Sequence, residues 1–170
     1  MSTVPVTGTV REATVADAPA LFRAWQALRT HNAGADPRII PAPVSEIEFT
    51  AGLRELLSRP TGTLFVAEVD GRLAGFIRAG VEQNAADRLP EQHVGIGYLY
   101  VEPAARRRGL GRQLFAGVRE WAGTQAGVAH FEMTVLNQDG DAEEFWRSLG
   151  FTPFIQRLWA PLEEEEPEPA

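Results

Sequence analysis

Four arginines and two glycines crowd into one heptapeptide, Arg106-Arg107-Arg108-Gly109-Leu110-Gly111-Arg112, of a 170-residue chain with a formal net charge of −7. All 16 cations are arginine. An apolar pattern at helical spacing follows at once: Leu114, Phe115, Val118 and Trp121. The first N–H groups of a helix have no internal acceptor, and the helix dipole places partial positive charge there. Glycine lets a backbone approach an anion closely, and arginine adds bidentate charge. The chemistry suggested is capture of a small polyanion, with a pyrophosphate the natural ligand. Read alone, the same run also describes a solvated arginine face before an ordinary turn.

Other chemistries fit poorly. A dinucleotide fingerprint needs a third glycine where Leu114 stands, and a Walker loop needs a lysine that the chain lacks. Absence of cysteine excludes disulfides, thiolate metal sites and a cysteine nucleophile. No serine lies in G-x-S-x-G. His31 and His130 stand unaccompanied in sequence, and no H-x-x-H or paired-carboxylate spacing suggests a metal, so none is expected. The negative net charge argues against a general nucleic-acid binder, which needs a broad basic face. No apolar run approaches the roughly 20 residues that span a bilayer, and MSTVPVTGTV lacks the features of a signal peptide. The expectation is a cytoplasmic protein without membrane or nucleic-acid partners.

Elements must position the arginine turn. Thr9–Thr14 alternates as a first strand, and Asp17 is placed to cap a helix through Thr30. Asn32–Pro43, rich in proline, reads as a loop. Ser45 with Glu48 is a capping box opening a helix that ends near Ser58. Two alternating runs flank Asp70-Gly71, a hairpin signal. After a polar loop, HVGIGYLYV is a strand stopped by Pro103, and a helix spans about Gly111–Thr124. HFEMTVL is a strand, DAEEFWRSLG a helix closed by Gly150, and FTPFIQRLWA a last strand. The predicted class is α/β (α+β). One domain spans 9–160, between a flexible start (1–8) and a disordered acidic tail (161–170).

The residues Leu99-Tyr100-Val101-Glu102-Pro103 followed by Arg106-x-x-Gly109-x-Gly111 resemble the signature of the GCN5-related N-acetyltransferases (GNAT superfamily). Asn137 after the next strand and Phe145-Trp146-Arg147-Ser148-Leu149-Gly150-Phe151 resemble two further family segments. The resemblance implies a mixed, mostly antiparallel central sheet of six to seven strands flanked by about four helices. It also implies acetyl-CoA as co-substrate, transfer to a primary amine by direct attack in a ternary complex, and a homodimer.

Carried over, Leu99, Tyr100 and Val101 would pair with the pantetheine arm, and the Leu99 N–H would polarise the thioester carbonyl. The turn Arg106, Arg107, Arg108, Gly109, Leu110, Gly111 and Arg112 would hold the pyrophosphate. Asn137 or Asp139, with Phe145 and Trp146, would line the coenzyme. Two positions depart from the family. Trp146 replaces the usual acidic tyrosine, and Gly97 replaces a frequent basic glutamate, leaving Tyr98, Tyr100, His93 and Glu132 as substitutes. The resemblance places acceptor contacts in Trp25–Pro43 and Gln83–Gln92, where Trp25, Arg29, Glu91 and His93 are candidates. A small primary amine is the favoured acceptor, ahead of a peptide N-terminus or lysine. A non-catalytic acyl-CoA-binding protein on the same fold is the alternative.

Overall fold

In the computed structural model, which describes residues 8–162, Asp70 and Gly71 both take positive φ, 52° and 73°. That is the backbone of a type I′ turn, whose twist matches the strands it joins. It connects β2 (Gly62–Val69) to β3 (Arg72–Gln83). β1 (Thr9–Glu12) pairs antiparallel with β2, and β4 (Gln92–Val101) antiparallel with β3. β5 (Val128–Met133) lies parallel to β4, completing a sheet of order β1-β2-β3-β4-β5. The chain divides between Asp139 and Gly140 into two compact units, and the whole sheet belongs to the first.

Helices α1 (Ala18–Ala35) and α2 (Glu46–Ser58) cover one face. Leu21, Ala24, Leu28 and Leu53 pack there with Leu64, Val66, Phe76 and Tyr100. Alternation sends Phe65, Gly75 and Ile77 to the other face, where α3 (Leu110–Ala122) lies; a Cβ on Gly75 would touch Leu114 of this helix. Leu114, Phe115 and Val118 on α3 are almost fully buried. Burying such side chains is worth roughly 1.5–3 kcal/mol each, which fixes the helix over the sheet.

Ser45 caps α2 as its spacing predicts: its Oγ accepts from the Glu48 N–H at 3.2 Å, and Glu48 accepts from the Ser45 N–H at 2.8 Å. Other expectations are corrected. Asp17 stands at the N-cap of α1 as predicted but its side chain does not cap that helix; the carboxylate accepts from two Arg11 nitrogens at 2.8 and 2.9 Å and from the Thr14 N–H at 2.7 Å. The predicted loop at Asn32 begins instead at Asp36, because nothing in Asn32–Ala35 forbids helix until Pro37.

The second unit contains α4 (Gly140–Ser148), closed by Gly150 at φ 94°. The N–H of Phe151 donates to Trp146 O at 3.1 Å and that of Gly150 to Arg147 O at 3.0 Å, a Schellman close. The strand predicted over Phe151–Ala160 is absent, so the described sheet has five strands, fewer than six to seven. Apolar and aromatic residues mark a segment able to pair, but a strand also needs a ladder partner. Residues 1–7 and 163–170, nearly all of the expected flexible start and acidic tail, lie outside the described residues.

Candidate active site

Opposite Arg78 and Ala79, the register of β4 slips by one residue, leaving Gly97 as an extra residue between Ile96 and Tyr98. Such a bulge reverses which face each following side chain meets. Val94 and Ile96 lie on the α3 face, whereas Tyr98 and Tyr100, opposite Arg78 and Phe76, lie on the α1–α2 face. Pairing of β4 with β5 ends at Ile96–Met133, immediately before the bulge. Beyond it, Tyr98–Val101 retains β3 as partner on one edge only, among the described strands.

That open edge carries specific amides. The Glu102 N–H donates to Ala74 O on β3 at 2.8 Å. By the two-residue alternation of a strand, the N–H groups of Leu99 and Val101 point away from β3, to the side β5 has left. The carbonyl of Val101 on this edge accepts from Arg106 Nε at 2.9 Å. Arg106 thus ties the strand end to the turn that follows.

The turn is built as its residues suggest. A 3₁₀ turn over Pro103–Ala105 leads to Arg107 at φ 63° and Gly109 at φ 81°. Gly109 stands at the N-cap of α3 with no side-chain cap, and the first turn holds no acidic residue. Gln113 is the residue whose N–H first reaches back, to Gly109 O at 3.1 Å. The amides of Leu110 and Gly111 precede it and have no intrahelical acceptor. Arg107, Arg108 and Arg112 are exposed, and no atom lies within 4 Å of a Cβ built on Gly109.

The remaining candidates are scattered. Tyr100 is buried against Phe76, and burial, with Glu102 nearby, pushes its phenol above the ordinary value. Tyr98 is half-buried with the Arg78 guanidinium 5.9 Å from its ring. Asn137 is exposed in the turn after β5, while Asp139 holds His31 Nε2 at 2.9 Å. His31 therefore has a partner, contrary to the sequence reading. Trp146 is buried in the second unit, edge-on to Phe145 and Phe151 at 5.2 and 5.0 Å. Trp25 packs on Phe22 and Phe49, with Arg29 4.4 Å above its ring. Arg29 also donates to Gln26 and the Ala42 carbonyl, so the α1–α2 loop is held to α1.

Glu91 is exposed, and its carbonyl accepts from the Asn84 N–H at 2.8 Å. His93 is buried, six residues before Leu99 on the same strand. Their partners Glu82 and Ile77 are five residues apart on β3, so at about 3.3 Å per residue the two lie roughly 16 Å apart, too far for His93 to touch groups reacting at Leu99. Around it the sequence reading missed Glu82, Asn84, Arg88 and the partnership of His130 with Glu132. His130 and Glu132, two apart on β5, share a face by alternation, and this was the one legible signal. The rest meet only through strand pairing.

The Acetyltransferase (GNAT) family model matches residues 25–151, three quarters of the chain. The chain belongs to this family. Among relatives, an aminoglycoside N(6')-acetyltransferase type 1 of Serratia marcescens is 28% identical over 130 residues, 75% of this chain and 83% of that protein. An uncharacterised N-acetyltransferase of Lactobacillus delbrueckii subsp. lactis is 24% identical over 103 residues. That match covers 61% of this chain and 59% of the relative.

The GNAT fold recurs in solved structures. A mutant of the BH1408 protein from Bacillus halodurans superposes with a TM-score of 0.75 at 21% identity, covering 91% of this chain and 99% of that one. Aminoglycoside N-acetyltransferase AAC(6')-Iy in complex with CoA gives 0.70 at 19% identity, covering 95% and 98%. At such identities these likenesses establish the fold.

Proposed function

We propose that this chain transfers the acetyl group of acetyl-CoA to a primary amine of a small molecule, by direct attack in a ternary complex. The observation carrying the proposal is the open edge of β4 at Leu99 and Val101, continuous with the glycine–arginine turn at the start of α3. One end offers main-chain donors to an amide-bearing arm, and the other offers amides and guanidinium groups to a diphosphate. Small-molecule amines are favoured because the named curated relative acts on aminoglycosides.

In this reading the Leu99 N–H donates to the oxygen of the thioester carbonyl as it becomes an oxyanion, an interaction worth about 2.7–4 kcal/mol in a dry site. The amine nitrogen forms the new C–N bond, the C–S bond breaks, and the thiolate takes a proton as the nitrogen loses one. The indole N–H of Trp146 cannot serve as that acid near neutral pH. Between the two tyrosines, Tyr98 is the better placed, since Tyr100 is held in the core. Gly97 leaves the usual base position without a carboxylate, so a water carries the amine proton away. Asn137 or Asp139 completes the coenzyme-binding set of the first unit. Trp25, Arg29 and Glu91 border the acceptor side, and His93 is too deeply buried to meet the acceptor directly.

The test is thiol release with acetyl-CoA and a panel of aminoglycosides, amino sugars, polyamines and short peptides, with product mass confirming acetylation. Turnover with a small amine is expected. Turnover with peptides alone would overturn the acceptor class. Tight acetyl-CoA binding without turnover on any amine would favour the second reading, a non-catalytic acyl-CoA-binding protein, which Gly97 and Trp146 motivate.

A further inference from the structure

We propose that His93, His130 and Glu132, joined by Glu82, form a binding site for a divalent transition-metal ion of the zinc class. Their ligand atoms converge: one atom each of His93, His130 and Glu132 lies within 4.8 Å of the other two. His130 Nε2 is 2.9 Å from Glu132 Oε1, and His93 Nε2 is 3.8 Å from Glu132 Oε2. Glu82 Oε2 stands 3.6 Å from the same His93 nitrogen. A tetrahedral ion with bonds of about 2.0–2.1 Å holds its donors about 3.3 Å apart. The observed separations bracket that spacing.

The second observation concerns His93 itself. Its ring is more than nine-tenths buried, and Nδ1 lies 2.8 Å from Asn84 Oδ1. The Asn84 side-chain nitrogen donates to the Pro90 carbonyl, which leaves Oδ1 to accept. His93 Nδ1 therefore donates to Asn84, and Nε2 is the ring nitrogen turned toward Glu82 and Glu132. Both carboxylate oxygens are beyond hydrogen-bond reach of it. A ring nitrogen fixed by an outer partner, with its other nitrogen aimed at carboxylates, is how proteins prepare a metal-ligating histidine. Arg88 donates to Glu132 Oε1 at 3.2 Å, orienting that carboxylate and leaving Oε2 toward His93.

Sheet geometry supplies the convergence. Glu82 faces His93 across the β3–β4 pair, and Glu132 faces Gly95 across β4–β5. Gly95 is what lets Glu82 reach inward, since a Cβ there would lie 2.3 Å from its carboxylate. Two imidazoles and two carboxylates are a donor set for zinc and its neighbours rather than for magnesium or calcium. At roughly 16 Å from Leu99 the ion would not touch the reacting carbonyl. It would clamp β3, β4 and β5 together at the far end of the acceptor face.

The test uses untagged, chelator-stripped full-length protein titrated with Zn²⁺ alone by calorimetry, and with Co²⁺ by its visible d–d absorption. One ion per chain is expected, with cobalt bands of four-coordinate N/O ligation. At a hundredfold excess over Kd the thermal midpoint should rise by roughly 5–10 °C. His130→Gln and Glu132→Gln, both at partly exposed positions, should each weaken binding at least about tenfold while far-UV dichroism stays unchanged. Gly95→Ala, which displaces Glu82, should weaken it by a smaller factor, and His31→Gln should not change it. Absence of binding at submillimolar Zn²⁺, or binding undiminished in the His130→Gln/Glu132→Gln double variant, would overturn the site.

Discussion

Gly109 meets a backbone requirement and stands where the diphosphate is proposed to sit. At φ 81° any side chain is strained, although the space around its Cα is open. Gly109→Ala should therefore lower stability by about 1 kcal/mol, a fall of roughly 2–4 °C in thermal midpoint, and leave the fold intact. Gly109→Glu adds a carboxylate where the diphosphate is proposed to sit, and acetyl-CoA affinity measured by calorimetry should fall more than about tenfold, beyond the alanine effect. A second residue-level prediction concerns acid. Hydrogen bonds from Arg11 hold the Asp17 carboxyl below its ordinary value near 3.8. A depressed carboxyl contributes stability above its unfolded value, and that contribution is lost as pH falls through the folded value. Arg11 is substantially exposed, so the contribution is limited to about 1 kcal/mol. Asp17→Asn should lower the thermal midpoint at pH 7 by a few degrees, and the difference from the parent should shrink steadily below pH 4.

At the scale of elements, the decisive feature is one extra residue in β4. Deleting Gly97 would restore continuous register with β3, leaving Tyr98 opposite Arg78 and Tyr100 opposite Phe76 on their present face while removing the bend at which β4 parts from β5. With β4 no longer bending away from β5, the open edge at Leu99 and Val101 should narrow and acetyl-CoA binding weaken by calorimetry, while the thermal midpoint changes little. Gly97→Ala, whose Cβ meets Arg78 only at ordinary contact distance, should leave both nearly unchanged. The contrast separates residue count from residue identity. Helix caps and the hairpin were legible because their causes are local: Ser45 with Glu48, Asp70-Gly71, Gly150. The bulge was not, since nothing in Gly95-Ile96-Gly97 says which glycine is extra until β3 pairs beside it. Phe151–Ala160 shows the converse, an apolar-rich segment without a ladder.

At the scale of the molecule, a formal charge of −7 surrounds a local concentration of arginine. The diffuse negative surface repels a polyanionic coenzyme weakly and over distance, whereas Arg107, Arg108 and Arg112 act within a Debye length, about 8–10 Å at ordinary ionic strength. Acetyl-CoA affinity should fall as sodium chloride rises from 50 to 500 mM, measured by calorimetry, because the near attraction outweighs the far repulsion. An affinity that rose with salt would show the global charge to dominate.

The sequence by itself determined the family, the order of elements as far as α4 and the glycine turn that opens α3, since each depends on residues adjacent along the chain. Tertiary structure alone decided which amides face the open edge of β4, that Tyr100 belongs to the core, and that His93, His130, Glu132 and Glu82 share one face. Those facts depend on strand register and on where β5 leaves β4. Register is set by packing between residues far apart in sequence, which short-range spacing does not record.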